Sequence, residues 1–268
     1  GVAEARDWLA ETFDLAEKHF WEPAAELYGD EAKADWTLLP YRGQNANMHA
    51  CEAMIYAYSA TGERRYIERA ETLANAITRR QAALANGLIW EHYHQDWSVD
   101  WEYNLHDKTN IYRPWGYQPG HHTEWAKLLL QLDAHLPADW HLLRAEELFK
   151  AAVTRAWDAV HGGMHYGFAP DDSICDGDKY HWVQAESFAA AALLGIRTGK
   201  QEYWDWYAKI WDYCWKHFVD HEQGAWFRIL DPANLNHTRE KSPAGKVDYH
   251  NIGASIDVLR AMGELKGE

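Results

Sequence analysis

The chain has 268 residues, 47% of them hydrophobic, and its 26 basic and 41 acidic side chains leave a net charge of −15. That apolar content excludes a disordered chain, and the negative charge disfavours nucleic acid or an anionic membrane surface as the main partner. No run of 18 or more apolar residues occurs, so no membrane-spanning helix is expected.

Helical periodicity dominates, with helices expected over 3–20, 45–61, 63–82, 121–135, 140–157, 181–198, 201–219 and 250–266. In the third, Tyr66, Ile67, Ala70, Leu73, Ala74 and Ile77 recur at helical spacing between Arg and Glu residues. In the seventh, Trp204, Tyr207, Trp211, Trp215 and Phe218 form a stripe that reads as a packing face. The helices alternate between charge-rich and small-residue types, the latter exemplified by Ser187-Phe188-Ala189-Ala190-Ala191-Ala192. Small residues let backbones approach closely, so the alternation reads as outer–inner helical hairpins.

The connections repeat as well. Short stretches opening on glycine, Gly87-Leu88-Ile89-Trp90, Gly163-Met164-His165-Tyr166 and Gly224-Ala225-Trp226-Phe227, are expected to form small β-hairpins. A histidine then opens each inner helix, at His49, His121, His181 and His250. This is an internal repeat of about four helical hairpins, expected as one continuous domain over 1–268. If such a repeat closes into a toroid, the four histidines gather at one cavity mouth.

Three of these histidines carry a polar residue three positions on: His49 with Glu52, His121 with Glu124, and His181 with Gln184. On a helix such pairs share a face, and a carboxylate there can fix the tautomer of the ring and stabilise its cation. That suits reversible proton transfer. The composition adds 16 Trp and 15 Tyr against 7 Phe, aromatic rings that cover sugar C–H faces while polar edges meet hydroxyls. Trp182, Tyr180, Trp115, Tyr249, Arg42, Asn47, Arg113 and Gln184 are the candidates for such a wall. The chief competing chemistries are weaker. His92 and His94 lack an evident third metal ligand, so no metal or other cofactor is expected. Asp171 with Asp172, or Glu124 with Glu186, could be read as a glycosidase pair. No nucleophile elbow, phosphate loop or dinucleotide fingerprint occurs.

Four stretches carry a family likeness: Tyr41-Arg42-Gly43-Gln44-Asn45-Ala46-Asn47-Met48-His49, Gln118-Pro119-Gly120-His121-His122-Thr123-Glu124-Trp125, Lys179-Tyr180-His181-Trp182-Val183-Gln184-Ala185-Glu186 and Lys246-Val247-Asp248-Tyr249-His250. In this order they resemble the N-acylglucosamine 2-epimerase superfamily, and within it the mannose and sulfoquinovose isomerase branch. The resemblance implies an all-α fold, an (α/α) toroid of six helical hairpins. It further implies a metal-free aldose–ketose isomerase working through an enediol or enediolate, with D-mannose to D-fructose as the expected reaction. The family's acid/base histidines match His121 and His250. Glu124 assists them, and His49, Arg42 and Arg113 match sugar-contacting positions, with Asn47, Trp182, Gln184 and Glu186 completing the expected site. A 2-epimerase, a sulfoquinovose isomerase, or a non-catalytic sugar-binding or interaction arc are the alternatives.

About four hairpins against the family's six lead to the expectation of a missing N-terminal portion. A complementing segment or a homo-oligomer is then expected to cover exposed inner-helix surface. The start, Gly1-Val2-Ala3-Glu4-Ala5-Arg6, lacks an apolar signal region. With only three scattered cysteines, Cys51, Cys175 and Cys214, this makes the expected location cytoplasmic.

Overall fold

Long helices joined by two- and three-residue strands make up the computed structural model, which describes residues 3–241 and 248–263. Its chain divides into two units, Gly1–Leu105 with Gln131–Ala138, and His106–Leu130 with Asp139–Glu268.

In the first unit, α1 (Ala3–His19) leads into an antiparallel hairpin of β1 (Trp21–Glu22) and β2 (Leu27–Tyr28). Next, β3 (Arg42–Gly43) runs directly into α2 (Gln44–Thr61). That helix stops at Gly62, whose left-handed backbone (φ 74°) turns its N–H back to the Tyr58 carbonyl. The following element departs from the continuous helix expected over 63–82. It is α3 (Arg64–Asn75), a π-helical turn over Ala76–Gln81, and α4 (Ala82–Leu84), after which β4 (His92–Tyr93) pairs with β3. Ala70, Ala74, Thr78 and Ala82 are all buried at strict four-residue spacing. A helix of 3.6 residues per turn would rotate that row away from the core, and the wider turn keeps it facing inward.

The second unit holds residues 119–130 of α5 (Pro119–His135), then α6 (Asp139–Ala156), β5 (Gly167–Phe168), β6 (Ile174–Asp176) and β7 (Lys179–Tyr180). The chain continues through α7 (His181–Thr198), α8 (Gln201–His217), β8 (Ile229–Leu230) and α9 (Tyr249–Ala261). The bounds of α7 coincide with those expected, and it is buried without a break from His181 to Ala192. Its small residues form a core with α8 and α9 in which Ala185, Phe188, Ala189 and Ala192 meet Ile210, Cys214, Ala254 and Val258. The aromatic stripe of α8 packs there as expected through Trp204, Tyr207 and Trp211, while Trp215 remains half exposed.

The internal repeat is visible in the pairing of the strands. Residue 42 pairs with 93, 117 with 168, and 179 with 230, so each partner lies 51 positions further on. One five-residue turn also recurs, at 33–37, 94–98, 169–173 and 231–235, closed each time by the same two backbone hydrogen bonds. Its fourth residue, Trp36, Trp97, Asp172 or Asn234, takes a left-handed φ between 65° and 66°.

The β-hairpins expected at the glycine stretches are displaced. Met164 and Trp226 instead form single bridges back to Trp157 and Val219. Among the described residues only β1–β2 and β5–β6 are local hairpins, and the other two sheets join strands from successive connections. Glycine is needed at Gly163, where φ is 82° and a Cβ would lie 2.4 Å from the Tyr213 ring.

Two candidate sugar-binding amides prove to be clamps of this repeat. Asn47, fourth in α2, accepts the Tyr28 N–H (2.8 Å) and donates to the Tyr28 and Gly43 carbonyls (3.0 and 3.1 Å). Gln184, fourth in α7, accepts the Met164 N–H (2.8 Å) and donates to the Met164 and Tyr180 carbonyls (2.9 and 3.4 Å). Both are fully buried, and their amide groups act as strand partners for the connection below them. These bonds engage the amides of Asn47 and Gln184, at positions where a direct sugar contact was expected.

Gln184→Ala is expected to cost roughly 3 kcal/mol, because the Met164 peptide is left buried with neither bond. Urea unfolding of the purified chain measures it. A second prediction concerns Asp158, which binds Lys179 Nζ at 2.8 Å and the Val160 and His161 N–H groups. Burial pushes its carboxyl up, but these donors outweigh burial and hold it at about 2, below the usual 3.8. A depressed carboxylate gives stability that is present above its unfolded value and lost as pH falls through its folded one. Acid unfolding followed by circular dichroism is expected to steepen between about pH 4 and 2 and to flatten there in Asp158→Asn.

Candidate active site

Residues of the second unit bring α5, α7 and α9 together around two histidines. His121, Glu124 and Lys127 fall at three-residue steps on α5, Trp182 and Glu186 four apart on α7, and His250 and Asp257 seven apart on α9. Gly120 makes the approach possible: a Cβ there would lie 2.5 Å from the Trp182 ring. The indole can therefore settle against the turn that carries His121.

Trp182 is the hinge of the arrangement. Its ring centroid lies 5.0 Å from that of His121 and 5.3 Å from that of His250, each tilted by 34°. Behind it, Tyr166 meets Trp182 edge-on at 5.9 Å and stacks on Tyr180 at 3.8 Å. Trp182 and Tyr180 are buried, whereas Tyr249 is half exposed beside His250. Trp115, also buried, lies under the Lys108 ammonium at 4.5 Å.

His250 takes its orienting group from another helix. Its Nδ1 lies 2.7 Å from Glu186 Oε1, and the other Glu186 oxygen is 2.7 Å from the Lys127 ammonium. Asp257 stands 3.8 Å from the same ammonium. Burial alone would push the Glu186 carboxyl up, but Lys127 and the bond to His250 hold it well below the usual carboxylate range. An ionised carboxylate only accepts, so His250 presents Nδ1–H to Glu186 and keeps Nε2 for other work. Side-chain exposure is 16% for His250 and 1% for Glu186, so one end of the pair is reachable and the other sealed.

Glu124 was expected to serve His121. The structure draws its carboxylate to within 4.8 Å of Glu186 and His250 as well. These three side chains are close enough to surround a cation, but Lys127 already supplies the positive charge at Glu186. The donor set reads as an ion-pair network rather than a metal centre.

The other expected site residues stand as follows. In the first unit, Arg42 is buried, with its guanidinium on both Glu22 oxygens (2.7 and 2.9 Å) and on the Leu39 and Tyr41 carbonyls. It struts the connection at a position where a sugar contact was expected. His49 is partly exposed, 3.7 Å from Glu52, and the exposed polar residue one turn before it on that face is Asn45 rather than Asn47. Arg113 is half-buried in the loop before α5, its N–H bonded to the Asn110 side chain at 2.9 Å. Lys246 and Val247 of the fourth motif lie outside the described residues.

The profile of the family described as N-acylglucosamine 2-epimerase (GlcNAc 2-epimerase) matches residues 1–254. D-mannose isomerase of Marinomonas mediterranea is 52% identical over 264 residues, which is 98% of this chain and 67% of that protein. D-mannose isomerase of Thermobifida fusca is 40% identical over 87% of this chain and 58% of its own length. A crystal structure of D-mannose isomerase superposes with a TM-score of 0.96 at 53% identity, covering 97% of this chain and 67% of that one. Cellobiose 2-epimerase of Spirochaeta thermophila shares the fold, with a TM-score of 0.82 at 23% identity over 98% of this chain and 66% of that one. The chain thus spans 58% to 67% of the length of these relatives. Their (α/α)-barrel class accounts for the alternating helices and the repeated connections described above. On the match of its sequence and of its helical hairpins, the chain belongs to the N-acylglucosamine 2-epimerase family.

Proposed function

We propose that the chain belongs to a metal-independent sugar isomerase that converts D-mannose to D-fructose, with His121 and His250 as the proton-transfer groups. The observation that carries this reading is the pair of imidazoles placed about the Trp182 indole, one of them oriented by an anionic carboxylate. The relatives named D-mannose isomerase supply the substrate.

The chemistry requires two stages of proton transfer. Ring opening takes the proton from the anomeric hydroxyl, breaks the C1–O5 bond, and returns a proton to O5. The open aldose then loses its C2 proton to a base while O1 gains one, which gives the enediol. Loss of the O2 proton and protonation at C1 complete the ketose. A neutral imidazole can take a proton and its cation can return one, so one histidine serves each stage. His250, with Nδ1–H fixed on Glu186, offers Nε2 as a single defined base whose cation the carboxylate stabilises. Trp182 gives the apolar face of the sugar a wall, and Glu124 brings a second carboxyl group to within 4.8 Å of Glu186 and His250.

A second reading shares these steps up to the enediolate. Returning the proton to C2 from the opposite face makes the reaction a 2-epimerisation, as the names of the cellobiose 2-epimerases that share the fold indicate for those proteins. Product analysis separates the two: D-fructose supports isomerisation, and D-glucose the epimerase.

His121→Ala and His250→Ala are each expected to lower kcat by about a thousandfold or more while the chain stays folded, measured by fructose release from D-mannose. Full activity in either variant overturns the assignment. Exhaustive chelation is expected to leave turnover unchanged, and a loss restored by a divalent metal contradicts the metal-free chemistry. Binding of D-mannose without any turnover favours a sugar-binding role instead.

A further inference from the structure

His250 depends on Glu186, and Glu186 sits in a place where a carboxylate would not normally stay ionised. Its side chain is 1% exposed, and burial without compensation would drive it to take up a proton. A protonated Glu186 could hydrogen-bond either nitrogen of an imidazole in either sense, and His250 would lose its fixed tautomer. The group that prevents this is the Lys127 ammonium, itself 2% exposed, 2.7 Å from Glu186 Oε2 on the side away from His250 Nδ1. Asp257 lies on the far side of that ammonium at 3.8 Å. The order Asp257, Lys127, Glu186, His250 is therefore an alternating chain of charges running from the interior to the reachable imidazole.

We propose that Lys127, backed by Asp257, is a positioning residue for the proton-transfer site: its ammonium fixes Glu186 as the anionic acceptor of His250 Nδ1–H and so dictates which ring nitrogen faces the sugar. The proposal rests on the reading of His250 as a proton-transfer group. Neither Lys127 nor Asp257 belongs to the four motifs that carry the family likeness, and both are buried.

Other titratable groups face this chain of charges. His121 and Glu124 come from α5, Tyr249 adjoins His250 on α9, and Tyr180 precedes α7. From α8, Tyr207 and Cys214 pack against the apolar length of α7, and burial raises both above their ordinary values. Removing the ammonium leaves two carboxylates without their cation, so the Glu186–His250 pair must bind its proton more tightly. Removing the Asp257 charge must act in the opposite direction.

The test is the imidazole titration of His250 followed by nitrogen-15 NMR of histidine-labelled protein, in the parent chain, Lys127→Met, Asp257→Asn and the double variant. The resonance is assigned by its loss in His250→Ala. Lys127→Met is expected to raise the His250 transition by about one pH unit or more and to mix the two neutral tautomers. Asp257→Asn is expected to lower it, and the double variant to fall between them. A merely structural role for Lys127 would reduce stability in urea without moving the His250 transition or its tautomer, and that result overturns the proposal. If Lys127→Met does not fold, Asp257→Asn still decides, since an unchanged or raised transition there contradicts it. The readout needs no turnover. A chain that shows these shifts but does not isomerise D-mannose retains this inference and loses the functional reading.

Discussion

The interaction on which the described site depends is the buried ion pair between Lys127 and Glu186. Taking an ammonium and a carboxylate out of water costs several kcal/mol each, and only close mutual pairing offsets it. A slip of α5 against α7 by one residue would leave both charges buried and alone, so the pair selects one register of those helices. His250 extends the requirement to α9, because its Nδ1 must meet the remaining Glu186 oxygen. The small residues of α7 and Gly120 of α5 are what allow helices to approach closely enough for side chains this short to meet.

Around this specific core the scaffold is repetitive. The same strand offset, the same five-residue turn and the same amide clamp recur in successive connections, each satisfying backbone groups that would otherwise be buried without a bond. Asp158 with Lys179 and Asp220 with Lys241 form equivalent ion pairs, at 2.8 and 2.7 Å, beneath two of these connections. Repetition thus supplies rigidity, and His250 stands where the repeat is broken. His250 has no carboxylate three residues on, unlike His49 and His121, and takes Glu186 from a neighbouring helix instead.

That break explains what could be read in the sequence. The limits of α7, the burial of its alanines and the packing stripe of α8 followed from periodicity, because burial on one helix face leaves a local pattern. The motif spacings led to His121, Glu124 and His250, and the family likeness assigned their chemistry. Glu186 was among the expected site residues, but its pairing with Lys127, and that of Lys127 with Asp257, was not legible, since these partners are 59 and 130 positions apart and their register is set by packing. The backbone partners of Asn47 and Gln184 were hidden for a related reason: they lie on strands and loops that only the folded connection brings to these amides. The π-helical turn at Ala76–Gln81 left only a faint trace, a row of small residues spaced by four where a regular helix drifts.

The central claim is that an imidazole, held by Glu186 and Lys127, moves a proton between two adjacent sugar carbons. Incubating the chain with D-mannose in deuterium oxide and analysing the product by NMR tests it most directly. The account predicts D-fructose carrying solvent deuterium at C1, delivered from an exchangeable nitrogen. D-fructose still free of solvent deuterium after many forward and reverse turnovers would show that the hydrogen passes directly between the carbons, and would contradict the account.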